Sequence, residues 1–362
     1  MFEYTDDQTM MRDAVRDFVQ TEVRPRAQAI DAAGEVPREL VAKMAGLNLL
    51  GIPFPDADGG AGGDFVSLAL AIEEIARGSG SLALIVAAHT AMVGLPIHRL
   101  GPAALRGAWL PKLLSGEILG GLVLAEPNPG GAAPRLSTDQ QAGVASGASL
   151  SGSGLPTLVG AAAGLLAVPV GDDVALLRAD TGVTRKPVPS ALGLRASGWA
   201  ECTFQAVRAE GVLAGASRLL EAAGRTAVAA LAVGLLAGTL DRVRPYVLER
   251  RQFGKPLAAF DPVRAFVAGM AVDLDACRLL VHRAAGLIDG GKDATRAAIV
   301  AKGYASDAAF RGARNGVQAL GGYGYLTEYE VERCFRDAKF CEIALGRTDD
   351  LLQGVGREEL GA

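Results

Sequence analysis

Apolar residues recur at three- and four-residue spacing through the first third of the chain, for example between residues 10 and 19. This spacing predicts amphipathic helices, which prolines and a glycine cluster at 59–63 separate from one another. A longer apolar run at 79–100 predicts one further helix. We therefore predict an all-helical N-terminal domain over residues 1–118.

The pattern changes near residue 119. Short apolar runs at 165–170, 174–177 and 202–207 lie between glycine, proline, serine and aspartate residues. Runs of this length that are bounded by turn-forming residues are typical of β-strands. The sequence therefore predicts a small middle β domain over residues 119–216.

Helical spacing returns after residue 216. Four helices are predicted, over residues 219–249, 260–289, 292–320 and 327–340. Their short connections favour a helical bundle, which we expect to form the C-terminal domain over residues 217–362. The predicted fold class is mainly α with a central β domain.

Composition and charge exclude some classes of function. The chain has 362 residues, of which 50% are hydrophobic, and a net charge of −4. Its basic residues are scattered, which argues against nucleic acid as a partner. Charged residues interrupt the apolar runs before the roughly 20 residues that span a bilayer, so we expect no membrane span. The N-terminus has no basic segment followed by an apolar one, and we expect a cytoplasmic protein.

The cysteines and histidines follow no pattern that is typical of a metal site. The four cysteines have neither the close pairing of a zinc site nor the density of a disulfide scaffold. We expect buried free thiols. The three histidines stand far apart in sequence, which argues against a metal site built on imidazoles, and we expect them to have packing or surface roles.

Three ordered blocks near the C-terminus carry the strongest signal of function. They are residues 246–257 (YVLERRQFGKPL), 318–325 (QALGGYGY) and 336–339 (RDAK). In residue identity and spacing they resemble the acyl-CoA dehydrogenase family. The resemblance implies an N-terminal helical domain, a middle β-barrel and a C-terminal four-helix bundle. It also implies a tetramer, a FAD cofactor, and an acyl-CoA or acyl-carrier-protein thioester as substrate.

The resemblance further implies that FAD lies across a subunit interface. The positions that one subunit would donate to its neighbour's FAD are Arg250, Phe253, Gln318, Gly321 and Gly322. A guanidinium can pair with pyrophosphate through charge-assisted hydrogen bonds, and glycines let backbone N–H groups approach phosphates closely. Each residue also has a structural interpretation, because a cation is favoured at a helix C-terminus and glycines can form a turn.

Both positions at which the family places its catalytic glutamate lack an acid here. Counted without a gap from the RDAK block, one position is Leu345. Some relatives place the glutamate on the long helix before an arginine, and here Gly224 precedes Arg225. Glu221 and Glu342 are candidate substitutes, although Glu221 is spaced to pair with Arg225 at i,i+4. Arg225 is either a remnant of the ancestral site or a residue that binds a carboxylate ligand, which makes it our candidate substrate-binding residue.

The half of the site that would hold this chain's own flavin departs further from the family. Ala125 replaces a threonine, Gly131 and Ala132 replace a serine and an aspartate, and Pro156 replaces a tryptophan in the proposed correspondence. Arg347 replaces the threonine that follows the catalytic glutamate and its glycine. These substitutions therefore lie in the half of the site that would hold this chain's own flavin.

Three interpretations remain open. The chain is a FAD-dependent oxidoreductase component with a displaced base, acting on an acyl thioester but not autonomously. Alternatively, it is a non-catalytic subunit that completes a catalytic partner's FAD site in a heteromeric assembly; the expected assembly in general is a homo- or hetero-tetramer with another acyl-CoA dehydrogenase-like chain. In the third interpretation, it is a flavin-free member with a repurposed acyl cleft. Survival of the neighbour-facing residues favours the second, whereas family frequency favours an oxidoreductase assembly, which is the general role that we expect. We expect the isolated chain to bind FAD weakly or not at all.

Overall fold

The computed structural model describes residues 4–124, 137–138, 149–180, 182–188 and 190–361. Its N-terminal part contains seven α-helices: α1 (Asp6–Phe18), α2 (Ala27–Ala33), α3 (Arg38–Gly46), α4 (Phe65–Gly78), α5 (Gly80–Val86), α6 (Leu95–Leu100) and α7 (Ala103–Leu114). A π-helical segment, Ala87–Gly94, joins α5 to α6. Helix α1 begins with a capping box, in which Thr5 and Gln8 each accept a hydrogen bond from the other's backbone N–H.

The middle part consists of β-strands. They are β1 (Leu119–Val123), β2 (Ser137–Thr138), β3 (Ser149–Leu158), β4 (Ala163–Val170), β5 (Asp173–Arg178), β6 (Val183–Pro187), β7 (Ala200–Arg208) and β8 (Gly211–Leu213). They form one sheet in the order β6-β7-β3-β1-β4-β5-β8, and β2 pairs with β3. Strands β1 and β4 are parallel, whereas the other pairs in this sheet are antiparallel.

The C-terminal part is helical again, and it confirms the predicted α–β–α order. It contains α8 (Ser217–Glu249), a hairpin of β9 (Arg251–Gln252) and β10 (Lys255–Pro256), α9 (Asp261–Asp289), α10 (Thr295–Leu320), α11 (Val331–Ile343) and α12 (Thr348–Leu360). The first four of these helices were predicted. Helix α12 was not predicted, and none of its residues is fully buried.

Two helical segments are long and apolar enough to cross a membrane by length and composition alone. Within the described residues they are Gly80–Leu100 and Ser217–Glu249. In the most apolar 18-residue stretch of each, 100% and 83% of the stretch, respectively, is buried inside the protein. Charges interrupt the second segment as expected, since Arg225 and Asp241 flank its uncharged stretch, whereas the first segment carries a charged residue only at Arg99. Their apolar surface packs against the protein's other helices and strands.

The buried cysteines and a buried histidine contribute to the core. All four cysteines are free and buried, as predicted. His89 Nδ1 accepts a hydrogen bond from Gly120 N at 3.0 Å, and its Nε2 donates to Leu113 O at 3.1 Å. Burial lowers the pKa of His89 to about 4. The neutral ring therefore joins the π-helical segment to β1 and α7.

A buried carboxyl joins the β domain to α11. Asp337 is fully enclosed, and its Oδ1 accepts a hydrogen bond from Leu194 N at 2.6 Å. Beside it, Ala196 N donates to Ser81 Oγ at 3.2 Å. Burial is the main cause that raises the pKa of Asp337 to about 6, from 3.8 in an unperturbed aspartate. The folded protein therefore binds a proton here at a higher pH than the unfolded chain does.

We predict that Asp337→Asn removes part of the pH dependence of stability. Between pH 6 and pH 4 the wild-type Asp337 is protonated in the folded state before it is protonated in the unfolded state. Its contribution therefore raises the free energy of unfolding as pH falls, by at most about 1.4 kcal/mol per pH unit. Asparagine keeps an oxygen that can accept from Leu194 N but has no proton to bind.

The measurement is urea unfolding of both proteins at several pH values. The difference in unfolding free energy between wild type and Asp337→Asn is expected to shift in favour of wild type as pH falls from 6 to 4. A difference that stays constant over this range contradicts the prediction.

Candidate functional site

The turn between α11 and α12 contains the first of the two family base positions. Leu345 has φ +53° and the following Gly346 has φ +106°. Left-handed backbone costs a non-glycine residue about 1–2 kcal/mol, so surrounding contacts must hold this conformation. The Leu345 residue is only 7% exposed, and its side chain points into the protein.

The second base position lies directly against the first. A Cβ atom on Gly224 would lie 2.7 Å from Leu345 Cδ1 and 3.3 Å from Met92 Cγ. The structure therefore brings together two positions that are far apart in sequence, and the leucine side chain occupies the space above the glycine. Neither position presents an acid, and the packing at one explains the residue type at the other.

Arg225 and Glu221 form the i,i+4 ion pair, with 3.0 Å between Arg225 Nη1 and Glu221 Oε2. Arg225 Nε also donates a hydrogen bond to Leu345 O at 3.0 Å. The Glu221 side chain is about half exposed, at 49%. Arg225 therefore fastens the turn to α8, and Glu221 lies at the protein surface beside it. A role for Arg225 in binding substrate stays a prediction.

Glu342, the other candidate base, lies on the last turn of α11. Its carboxylate pairs with Lys339 of the same helix. Its backbone oxygen accepts hydrogen bonds from Lys302 Nζ at 3.1 Å and from Thr348 Oγ1 at 3.2 Å. Both candidate carboxylates are therefore paired with a cation of their own helix.

Lys302 is a functional candidate that the sequence interpretation missed. It is fully buried on α10, and its Nζ also donates to Gly346 O at 2.6 Å and to Thr348 Oγ1 at 3.1 Å. The signal in the sequence was a lysine within a stripe of buried small residues of α10, which includes Ala298, Ala301, Ser306 and Ala309. A charged residue at such a position is rarely buried without a specific partner.

The five predicted cofactor positions lie at the opposite end of α8. Arg250 directly follows α8, Phe253 lies in the turn of the β9–β10 hairpin, and Gln318, Gly321 and Gly322 lie at the end of α10. All five are exposed, and Phe253 is 93% exposed. We call this set the FAD edge, after the role that the family resemblance implies.

An aromatic contact joins the two segments of the FAD edge. The Arg250 guanidinium carbon lies 5.6 Å from the centre of the Tyr323 ring. The Tyr323 ring in turn packs against Tyr246 of α8, with 6.2 Å between ring centres. The end of α8 and the end of α10 therefore form one surface.

The glycines of this surface differ in whether the structure of the chain itself explains the residue type. A Cβ on Gly324 would lie 2.4 Å from Val317 O, so packing within the chain requires glycine there. Gly321 has φ +61°, a conformation that favours glycine. A Cβ on Gly322 would meet nothing within 4 Å in the described structure. Packing within this chain therefore does not explain the glycine at 322.

The FAD edge and the base positions are far apart within one chain. Twenty-six residues separate Gly224 from Arg250 along α8. An α-helix rises 1.5 Å per residue, so the separation is about 39 Å. A single chain therefore does not bring its own FAD edge to its own Leu345.

The predicted positions on the chain's own flavin side are partly described. Ala125, Gly131 and Ala132 lie outside the described residues. Pro156 lies in β3, where its carbonyl accepts a hydrogen bond from Leu124 N at 2.8 Å. Arg347 is exposed and lies 3.6 Å from Asp350.

The two halves therefore fit FAD unequally. At the FAD edge, an exposed guanidinium, an exposed ring and an unobstructed glycine suit a dinucleotide. In the described part of the other half, Pro156 has neither an aromatic ring nor an N–H. The next residue, Thr157, is fully buried, and its hydroxyl donates to Leu155 O at 3.0 Å. That part offers no stacking ring or free hydroxyl to a flavin.

A cavity of about 780 Å³ opens elsewhere, between the N-terminal helices and the sheet. Among its described lining residues are Arg38, Ile85, Glu117 and Ser197, and none of the predicted site residues lines it. Within the described residues, no group of three or more His, Cys, Asp or Glu side chains could hold a metal ion. The candidate site therefore consists of the two base positions and the FAD edge.

Two protein-family models match this chain. The acyl-CoA dehydrogenase N-terminal domain matches residues 5–117, and the acyl-CoA dehydrogenase C-terminal domain matches residues 211–360. Together the matches cover more than half of the sequence and both helical parts. The chain belongs to the acyl-CoA dehydrogenase family, whose members are flavoproteins that use FAD.

Known proteins are similar over almost the whole length. A probable acyl-CoA dehydrogenase of Bacillus subtilis is 35% identical, with 96% of each chain covered. The CarC subunit of the caffeyl-CoA reductase–Etf complex of Acetobacterium woodii is 31% identical, with 95% of each chain covered. The structure of butyryl-CoA dehydrogenase from Megasphaera elsdenii is 31% identical and superposes with a TM-score of 0.91, covering 99% of this chain and 100% of that one.

We predict that Gly224→Ala changes the free energy of unfolding in opposite directions in the wild type and in a Leu345→Ala background. In the wild type the new methyl group would meet Leu345 Cδ1, and we expect a net loss of about 1 kcal/mol from overpacking. In a Leu345→Ala background the 2.7 Å contact is removed, and the flexible Met92 side chain, with Cγ at 3.3 Å, is the remaining close neighbour. There the same change should stabilise the helix by about 0.5–1 kcal/mol, since alanine is a better helix former than glycine.

Chemical unfolding of the four proteins of this double-mutant cycle measures the coupling. Gly269→Ala in α9 is the matched control, because its added methyl group would meet nothing within 4 Å and it should stabilise in both backgrounds. Equal effects of Gly224→Ala in the two backgrounds would show that Leu345 and Gly224 do not share the space.

Proposed function

We propose that this chain is a subunit of an acyl-CoA dehydrogenase-type assembly and completes the FAD site of a neighbouring chain. In this role the neighbour binds the acyl thioester and supplies the base that removes the α-proton. The present chain supplies the FAD edge, with Arg250 near the pyrophosphate and Phe253 near the adenosine. FAD, when bound, accepts the hydride from the acyl group.

The observation that carries the proposal is the contrast between the two regions. At the base positions Leu345 packs on Gly224, so that an apolar contact replaces the acid that would remove the α-proton. A positioned general base is worth about 10²–10⁴-fold in rate. At the FAD edge, by contrast, Gly322 is retained although no packing within the chain requires it, and Phe253 stays 93% exposed beside Phe260.

The charges beside the base positions support the same interpretation. Glu221 is paired with Arg225 and Glu342 is paired with Lys339. Each carboxylate is therefore already held by a cation of its own helix. The displaced-base alternative would require one of these ion pairs to break when the acyl thioester binds.

The relatives support an assembly of unlike chains. The similar protein of Acetobacterium woodii is, by its name, a subunit of a caffeyl-CoA reductase–Etf complex. Chains of this family therefore do occur as parts of larger complexes. For the present chain we propose a partner of the same family that retains its catalytic glutamate, in a cytoplasmic heterotetramer.

We predict that the chain purified alone carries little FAD and has negligible acyl-CoA dehydrogenase activity. Co-expression with a neighbouring-gene chain of the family that has an intact base should give a complex with bound FAD and activity. The measurements are flavin absorbance per chain, the mass of the complex, and turnover with a panel of acyl-CoA thioesters.

A yellow homotetramer of this chain that oxidises acyl-CoA would contradict the proposal. In that case loss of turnover in Glu221→Gln or Glu342→Gln would identify a displaced base. A stable homo-oligomer that takes up no FAD with any family partner would instead support the flavin-free interpretation with a repurposed cleft.

We predict that Gly322→Ala leaves the fold of this chain unchanged but lowers FAD retention in the complex. The added methyl group has open space in the chain itself, so the unfolding midpoint should stay the same. In the complex the methyl group would stand where the phosphates approach, and we expect FAD affinity to fall about tenfold or more, roughly 1.4 kcal/mol.

Gly324→Ala is the matched control, two residues away. Its methyl group would lie 2.4 Å from Val317 O, so this change should destabilise the chain itself. Flavin titration of the complex and thermal unfolding of the single chain separate the two effects. If Gly322→Ala leaves FAD retention unchanged, the FAD edge does not contact the cofactor.

A further inference from the structure

The turn between α11 and α12, residues 344–347, is held by polar side chains from two other helices. Arg225 of α8 donates to Leu345 O at 3.0 Å. Lys302 of α10 donates to Gly346 O at 2.6 Å and to Glu342 O at 3.1 Å. The backbone oxygens of Glu342, Leu345 and Gly346 therefore all accept hydrogen bonds from cationic side chains.

The surroundings of Lys302 suit an ammonium group. Its Nζ contacts two backbone oxygens and Thr348 Oγ1, which matches the three donors of an ammonium. Burial of this charge would be costly without such hydrogen bonds. The oxygens also lie at and just beyond the C-terminus of α11, where the helix dipole favours a cation. An apolar side chain of similar length would leave these oxygens without their Lys302 donor.

The backbone of the turn requires such support. Leu345 and Gly346 both have positive φ values, and Leu345 is a γ-branched residue in left-handed backbone. A conformation of this kind persists when the surrounding contacts over-determine it. The result of this conformation is the contact between Leu345 and Gly224.

We propose that Lys302 is the positioning residue of this turn, and that its ammonium group directs the side chain of residue 345 onto Gly224. Without Nζ, the oxygens of Glu342 and Gly346 lose their buried donor. The turn then relaxes, and residue 345 moves toward solvent. This role concerns the chain's own turn and requires neither a flavin nor a partner, so its test is independent of the proposed function.

A cysteine at position 345 makes the position measurable. The chain's own four cysteines are buried, so Leu345→Cys introduces a thiol whose alkylation by N-ethylmaleimide can be followed by peptide mass mapping. With Lys302 present we expect slow alkylation, because residue 345 is buried. Adding Lys302→Met should raise the rate at least about tenfold, as local opening exposes the thiol.

The electrostatic effect of this variant works against the expected result. Loss of a nearby positive charge lowers the thiolate fraction, and the thiolate is the reactive form. A faster reaction therefore reports exposure rather than a change in the pKa of the thiol. The full-length chain is used throughout, at one pH.

Two further variants distinguish a specific effect of Lys302 on the turn from a general weakening of α10. Ala309→Gly weakens the same helix at a buried position away from the turn, and it should leave the alkylation rate within about twofold. Thr348→Val keeps the side-chain shape but removes one acceptor of Lys302, and it should raise the rate less than Lys302→Met does. The proposal is overturned if Lys302→Met leaves the rate unchanged, or if Ala309→Gly raises it equally. If Lys302→Met does not fold, an unchanged rate in Thr348→Val overturns it.

Discussion

The burial of α8 is the constraint on which the rest of the structure depends. This helix of 33 residues packs against α4, α9, α10 and α11, and most of its residues are buried. Its glycines allow close approach: a Cβ on Gly234 would lie 2.3 Å from Glu73 O. Because apolar surface is covered on all sides of its middle section, α8 cannot shift along its axis without exposing the core to water. Both ends of α8 therefore keep fixed positions in the fold.

The length of α8 separates two regions of the molecule. One end of α8 carries Gly224 and Arg225, where Leu345 packs on the glycine and the arginine donates a hydrogen bond to the turn. The other end leads to Arg250 and the FAD edge, about 39 Å away, where the residues are exposed and packing within the chain does not require glycine at position 322. In the proposed assembly the two regions belong to different active sites.

The sequence interpretation was correct where the signal was local. Apolar spacing predicted the helices from α8 to α11 to within a few residues, since each buries a continuous face. It failed for α12, none of whose residues is fully buried, and it did not find Lys302. A lysine among alanines was visible in the sequence. Its partners on α11, on α12 and in the turn between them were not, because they lie 40 to 46 residues further along the chain.

The sequence by itself determined the α–β–α order of the three parts, the family of the protein, and the absence of an acid at positions 224 and 345. These properties depend on residue types and on spacing along the chain. Only the tertiary structure decided that Leu345 fills the space above Gly224, and that Arg225 and Lys302 hold the turn between α11 and α12. The reason is physical: Arg225 and Leu345 are 120 residues apart, and such contacts exist only once packing has brought the helices together.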